Sequence, residues 1–383
     1  MNMPQLFSFT NRFLPALAAC LILFAGLPAF AASSDNVETL ALGATAPDFH
    51  LEGTDNKFYT LKDFADAELL LVIFTCNHCP TAQAYEDRMI ALTDTYGPKG
   101  VAVVAISPND PSAVRLDELG YTDLNDTLED MQLRAEHKQF NFPYLYDGDI
   151  QDVTRAYGPV ATPHAFLFDK DRKLVYVGRI DDNEKIGAAT IHDTKNALDA
   201  MLAGKPVPVA KTKTFGCSIK WADKGEGVRR AQERWEKEPV SVTAVDAAAV
   251  KEILKNDTDN YRLVNMWAMW CGPCVTEFPE FVDMHLMYRR RNFEMVTISM
   301  DDAEAKEDVI KFLKSEHASM TNYHYTEEDA YALIDAVDEE WPGALPYTVL
   351  VAPGGEIVFR MLGEIDPLEI RKTVVDHIGR YYD

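Results

Sequence analysis

Two pairs of cysteines share one spacing in this chain. Cys76-Asn77-His78-Cys79 follows the apolar run from Leu69 to Thr75, and Cys271-Gly272-Pro273-Cys274 follows the run from Leu263 to Trp270. Each run reads as a strand that gives way to a helix. A thiolate at a helix N-terminus faces unpaired N–H groups and the positive end of the helix dipole, so its pKa falls and it becomes a nucleophile at neutral pH. A thiol three residues on can then attack the mixed disulfide and release the product. This pattern implies transfer of electron pairs between thiols and disulfides. Cys271 is expected to attack and Cys274 to resolve; in the first motif Cys76 and Cys79 take the same roles.

The residues between the sulfurs should tune them. His78 directly precedes Cys79, and an imidazolium there stabilises thiolate, which makes the pair more oxidising. Asn77 completes that turn. Gly272 and Pro273 bring no charge. The Cys76/Cys79 pair is therefore expected to be the more oxidising of the two. Four zinc ligands are the competing reading, since tetrahedral all-cysteine sites use such pairs. The long separation of the pairs speaks against it, and no metal is assigned.

The elements around these motifs recur. After the first pair come a helix from about Pro80 to Tyr96, a strand at Val101–Ile106, polar helical sequence over Thr127–Phe140, a hairpin at Ala165–Phe168 and Leu174–Val177, and a helix from about Ile191 to Leu202. After the second come a helix from Cys274 to Arg290, a strand at Phe293–Ser299, helical sequence between Ala305 and Ala336, a hairpin at Thr348–Val351 and Ile357–Phe359, and a helix over Leu368–Tyr381. Short β-rich runs between amphipathic helices predict an α/β chain of two tandem units, each a mixed central sheet covered by helices on both faces. Thr162-Pro163 and Leu345-Pro346 precede the hairpins. A cis-proline at that point would face the cysteines and leave the preceding backbone free to bind a substrate chain.

The first 31 residues read as a leader. Arg12 is the first charge, an apolar run extends from Phe13 to Leu27, and Pro28-Ala29-Phe30-Ala31 offers a small-x-small cleavage site. A lipid attachment at Cys20 is the lesser alternative. Export predicts a periplasm or an equivalent oxidising compartment, where reduced cysteine pairs need an outside source of electrons. A membrane-bound electron donor is the expected partner, beside protein thiol and disulfide substrates. The mature chain should not be an integral membrane protein. The net charge of −24 argues against nucleic acid. Of six cysteines, removal of Cys20 leaves five, with Cys217 unpaired; a buried apolar thiol is the first reading and a third redox sulfur the second.

The second unit resembles the periplasmic thioredoxin-like reductases through Trp267-Ala268-Met269-Trp270-Cys271-Gly272-Pro273-Cys274 and the following Val275-Thr276-Glu277-Phe278-Pro279. The first is similar to the redoxin, or peroxiredoxin-like, branch of the same superfamily. Gly43–Leu51, Phe74–Pro80, Phe142–Asp147, Gly178–Asp182 and Gly216–Trp221 carry that likeness. The resemblance implies a leader at 1–31, a redoxin-like domain at 38–221, a linker at 222–240 and a thioredoxin-like domain at 241–383. It also implies Trp270, Thr162, Pro163, Leu345 and Pro346 as substrate contacts, and no organic cofactor. Two departures stand out. The P-x-x-x-T-x-x-C pattern of peroxiredoxins is missing around Cys76 and Cys79, and Asn265 stands where thioredoxin has a buried acid. The expected activity is thiol–disulfide exchange, with a relay of electrons between the two domains left open. A thiol-dependent peroxidase in the first domain and a copper-handling protein are the alternatives.

Overall fold

The computed structural model describes residues 37–382, so the leader lies outside the described residues. The first sheet is built from β1 (His50–Gly53), β2 (Phe58–Thr60), β3 (Leu69–Phe74), then α1 (Pro80–Tyr96), β4 (Val101–Ser107), α2 (Leu128–Lys138), β5 (Tyr144–Tyr146), α3 (Asp152–Tyr157), β6 (His164–Phe168), β7 (Leu174–Gly178) and α4 (Asp193–Leu202). Its strand order is β2-β1-β5-β4-β3-β6-β7. Next comes α5 (Glu226–Trp235). The second sheet follows with β8 (Thr243–Val245), α6 (Ala247–Lys255), β9 (Tyr261–Trp267), α7 (Gly272–Tyr288), β10 (Phe293–Ser299), α8 (Lys306–Ser315), β11 (Thr321–Tyr325), α9 (Ala330–Val337), β12 (Tyr347–Val351), β13 (Ile357–Leu362) and α10 (Pro367–Ile378). Its order is β13-β12-β9-β10-β11-β8.

The same kernel occurs in both sheets. The strand that leads into a cysteine pair, β3 or β9, is central. It pairs in parallel with β4 or β10 and antiparallel with β6 or β12. A strand in that place is covered on both faces and must be apolar throughout. Along β3 the side chains alternate between two cores: Leu69, Leu71 and Ile73 on one face, Leu70, Val72 and Phe74 on the other. On β9, Leu263 and Trp267 enter one core and Val264 and Met266 the other. The chain thus folds as two mixed, helix-covered sheets of thioredoxin-like order.

Two regions differ from the expectation. Between Ala305 and Ala336 the chain is not helical throughout, because Thr321-Asn322-Tyr323-His324-Tyr325 supplies β11 between α8 and α9. The segment read as a linker over 222–240 carries α5. Ala231 and Trp235 sit one helical turn apart on it and are buried in one cluster with Val114, Leu119 and the β9 face.

The 114–124 segment that follows β4 also meets the C-terminal end of α7. Tyr288 Oη donates to the Thr122 carbonyl at 2.9 Å, Arg291 to the Gly120 carbonyl at 2.7 Å, and Arg290 pairs with Asp117 at 2.7 Å. The approach is close, since a Cβ on Gly120 would lie 2.9 Å from the Met287 carbonyl oxygen. The arginine run at 289–291 therefore joins the parts of the chain as well as suiting the helix dipole. No described helix is long and apolar enough to cross a membrane.

Candidate functional sites

The two helices start differently relative to their cysteines. Cys271 is the N-cap of α7, and its Sγ accepts the Cys274 N–H at 3.3 Å. In the first site the N-cap is the second cysteine, Cys79, whose Sγ accepts the Ala82 N–H at 3.4 Å. Pro80 at the first helical position suits that start, its ring already holding helical φ. Asp126 holds the preceding turn out of the helix. Its Oδ1 accepts the N–H groups of Asn77 and His78 at 2.8 and 3.1 Å.

Asp126 organises the first site. Its Oδ2 lies 2.6 Å from His78 Nδ1 and accepts Asn109 Nδ2 at 2.7 Å. Asp126, His78, Asn77 and Asn109 are all buried. Burial alone would lower the His78 pKa, but the charge and hydrogen bond of Asp126 outweigh it and the net shift is upward. Burial would likewise raise Asp126, and His78 and the hydrogen bonds reverse that. Both shifts favour the charged forms, and His78 adjoins Cys79.

The sulfurs respond in opposite senses. Burial pushes Cys79 up, yet the Cys217 and Cys76 thiols, the His78 charge and the Ala82 N–H together bring it well below the usual thiol range. Cys76 rises well above that range, through burial first, then Cys79 and the Asp126 charge. These opposite shifts favour thiolate character on Cys79 over Cys76. The Thr162 carbonyl, 3.4 Å from Cys79 Sγ, opposes a negative sulfur. Two N–H groups, from Ala82 and Cys217, favour it, and they outnumber the single oxygen. Cys76 Sγ lies 3.1 Å from Thr162 Oγ1.

Both Thr162–Pro163 and Leu345–Pro346 are cis. Their surroundings differ. The Thr162 N–H donates to the Cys217 carbonyl at 3.0 Å. The expectation of a free backbone is corrected here: residues around Cys217 already occupy it. Among the described residues Leu345 has no hydrogen-bond partner for its N–H or carbonyl, so the second loop is open. Trp270, next to Cys271 in the chain, is 70% exposed, while Cys271 and Cys274 are buried and joined as a disulfide. Gly272 and Pro273 form the first turn of α7 above them. Trp267 belongs to the core against Phe278.

Glu277 lies three residues beyond Cys274, on the same face of α7. Its Oε2 accepts the Ile365 N–H at 2.9 Å, and its buried Oε1 has no partner. Burial raises its pKa to about 7, and the Ile365 N–H opposes the rise only in part. A carboxyl that titrates near neutrality inside the protein is what a proton acceptor for Cys274 requires. Tyr347, by contrast, is tied to Asp338 at 2.7 Å.

Cys76, His78 and Asp126 each bring one ligand atom within 4.8 Å of the others. His78 Nδ1 and Asp126 already bond each other there. No such group among the described residues combines the two cysteine pairs, so the four-cysteine zinc arrangement is not formed.

The AhpC/TSA family matches residues 42–177 and 237–360, that is, both sheets. The chain belongs to the AhpC/TSA family. Among curated relatives, the thiol-disulfide oxidoreductase ResA of Oceanobacillus iheyensis is 28% identical over 95 residues, covering 25% of this chain and 45% of that protein. This chain thus spans less than half the length of that relative. The thioredoxin of Chlorobaculum thiosulfatiphilum is 26% identical over 136 residues, 36% of this chain and 94% of the relative. The crystal structure of an uncharacterized conserved protein from Geobacillus kaustophilus is 36% identical, covers 48% of this chain and 94% of its own, and has a TM-score of 0.43.

Proposed function

We propose that this chain is an exported thiol–disulfide oxidoreductase made of two thioredoxin-like modules, near 38–221 and 241–383. The first is extended by Cys217, and α5 is packed between them. The observation that carries the reading is the capping geometry: in each pair one sulfur is the N-cap of a helix and accepts a backbone N–H. The name of the ResA relative agrees with it. Protein disulfides or dithiols are the substrate class, and a membrane-bound donor supplies electrons to whichever pair acts as reductant.

At the second site a reduced Cys271 attacks the substrate disulfide beside the open Leu345 backbone and the exposed Trp270. Cys274 then displaces the product, and Glu277 takes the Cys274 proton. At the first site Cys79 attacks and Cys76 resolves. Direct relay between the pairs is disfavoured. Cys271 caps the N-terminus of α7, whereas the contacts with residues 117–122 lie at its other end. Seventeen residues separate the two ends, about 25 Å at 1.5 Å per residue. We infer two separate exchange stations.

The test is reduction of a peptide disulfide by the pre-reduced full chain, with Cys271→Ser and Cys79→Ser made singly and together. Each single variant should remove one phase of product formation, and the double variant should be silent. Unchanged kinetics in the double variant would exclude the reading. A peroxidase at the first site is the second reading, favoured by the depressed Cys79 thiolate. It predicts rapid peroxide consumption that Cys79→Ser abolishes and Cys271→Ser leaves intact.

A further inference from the structure

The chain returns to the first site well after the last helix of its sheet. Thr214 Oγ1 donates to the Pro163 carbonyl at 2.7 Å. Thr162 and Cys217 form an antiparallel bridge. Gly216 makes the approach possible: its φ is +133°, and a Cβ there would fall 1.9 Å from the Thr162 carbonyl oxygen. Residues 214–217 thus lie on the cis-proline loop as an added strand would. An extended substrate pairing with this loop would present its sulfur to the cysteines. Here the chain presents its own.

That sulfur belongs to Cys217. Its N–H points at Cys79 Sγ at 3.3 Å, and its side chain packs on the cluster of Cys76, Cys79 and Ala82. Cys79 interacts with both other thiols. Cys76 and Cys79 are 2% and 0% exposed, whereas Cys217 is partly open to solvent. An outside disulfide therefore meets Cys217 before it can reach the sulfur with the thiolate character.

We propose that Cys217 is a third redox-active thiol, the entry point through which an external disulfide oxidises the buried Cys76/Cys79 pair. The inference rests on the exchange activity proposed for the first site. The Cys79 thiolate first takes the Cys217 proton, an uphill transfer, since the hydrogen bond to Cys79 and burial hold the Cys217 thiol well above the usual thiol range. Cys217 then attacks the external disulfide RSSR, forms a Cys217–SR bond and expels RS⁻, which takes the proton from Cys79. The Cys79 thiolate attacks Cys217 Sγ, forms a Cys79–Cys217 disulfide and expels the second RS⁻. That ion takes the Cys76 proton, and Cys76 attacks Cys79, closing Cys76–Cys79 and releasing Cys217 as thiolate. One RSSR becomes two RSH, two thiols of the pair are oxidised, and Cys217 is restored. The same path run backwards reduces an outside disulfide.

The decisive experiment uses the full chain with Cys76→Ser, which stops the sequence at its second disulfide. After reaction with glutathione disulfide, acid quench and alkylation, peptide mapping should find Cys79 linked to Cys217. Cys79 held as a glutathione adduct, with Cys217 free, would overturn the proposal. Cys217→Ser in the otherwise native chain supplies the second test. It should slow oxidation of Cys76/Cys79 by about tenfold or more, as expected when the accessible attacking thiol is lost. An unchanged rate in a variant with native near-ultraviolet circular dichroism would overturn it. If Cys76 and Cys79 never oxidise in the native chain, this proposal and the exchange activity beneath it both fail.

Discussion

Asp126→Asn removes the charge that keeps His78 protonated. Burial then governs the imidazole and makes it neutral at pH 7, so Cys79 loses its nearest cation. For a cation and a thiolate on adjacent residues, taken as roughly 6 Å apart at an effective dielectric constant of about 20, Coulomb attraction amounts to about 2.8 kcal/mol. Loss of the Asp126 charge acts in the opposite sense. Asp126 is not among the leading influences on Cys79, whereas His78 is, so the net effect is a rise in the Cys79 pKa. A less stabilised thiolate makes the reduced pair less favourable, and the potential should fall by about 30 mV. The assay equilibrates the variant with glutathione buffers in a Cys271→Ser, Cys274→Ser background, and thiolate absorbance follows Cys79 against pH in parallel. A potential that stays in place or rises would refute the ionic account of His78. The pair also sets a stability window. The lowered Asp126 contributes above its ordinary 3.8 and is lost as pH falls through its folded value, while the raised His78 contributes below 6.5 and is lost as pH rises through its own. Both are in full force between those two values, and Asp126→Asn should flatten that plateau in urea unfolding.

Two further predictions concern the second site. Glu277→Gln should abolish a rise in exchange rate that the native chain shows as pH passes through about 7, where Glu277 becomes able to accept a proton. The same variant should gain stability relative to native above pH 7, by up to about 3 kcal/mol for a carboxyl raised from 4.5 to about 7. That gain should vanish below pH 4, where both states of the native chain bind the proton. Phe278→Ala, which empties a fully buried site between Trp267 and Phe312, should cost about 3–5 kcal/mol in denaturant unfolding.

The strands that carry the chemistry were legible because their signal is local. Continuous apolar runs ending in C-x-x-C gave β3 and β9, and the repeated order of elements gave the two sheets. Short strands such as β8, at the sheet edge, and β11 beside it carry too few residues to show a period. Partners that come from afar were not legible either. Asp126 lies in an irregular stretch between β4 and α2, and only the fold brings it under His78. Glu277 read as an ordinary first-turn acid, since nothing in its neighbours announced that the Cys274 face of α7 is buried. Cys217 was an odd cysteine without a place until the bridge to Thr162 put it on Cys79. The start of α1 at about Pro80 was legible, but the shared spacing of the two pairs suggested equal roles for sulfurs that cap their helices differently.

The central claim is that both pairs cycle between dithiol and disulfide, with the first held more oxidising by its buried ion pair. It is tested most directly by the reduction potential of each pair, measured in chains where the other pair is serine, by alkylation after equilibration across glutathione buffers. The account predicts two separate two-electron transitions, with Cys76/Cys79 higher by on the order of 60 mV, a hundredfold in equilibrium. Coincident potentials, or a pair that never forms its disulfide, would contradict it.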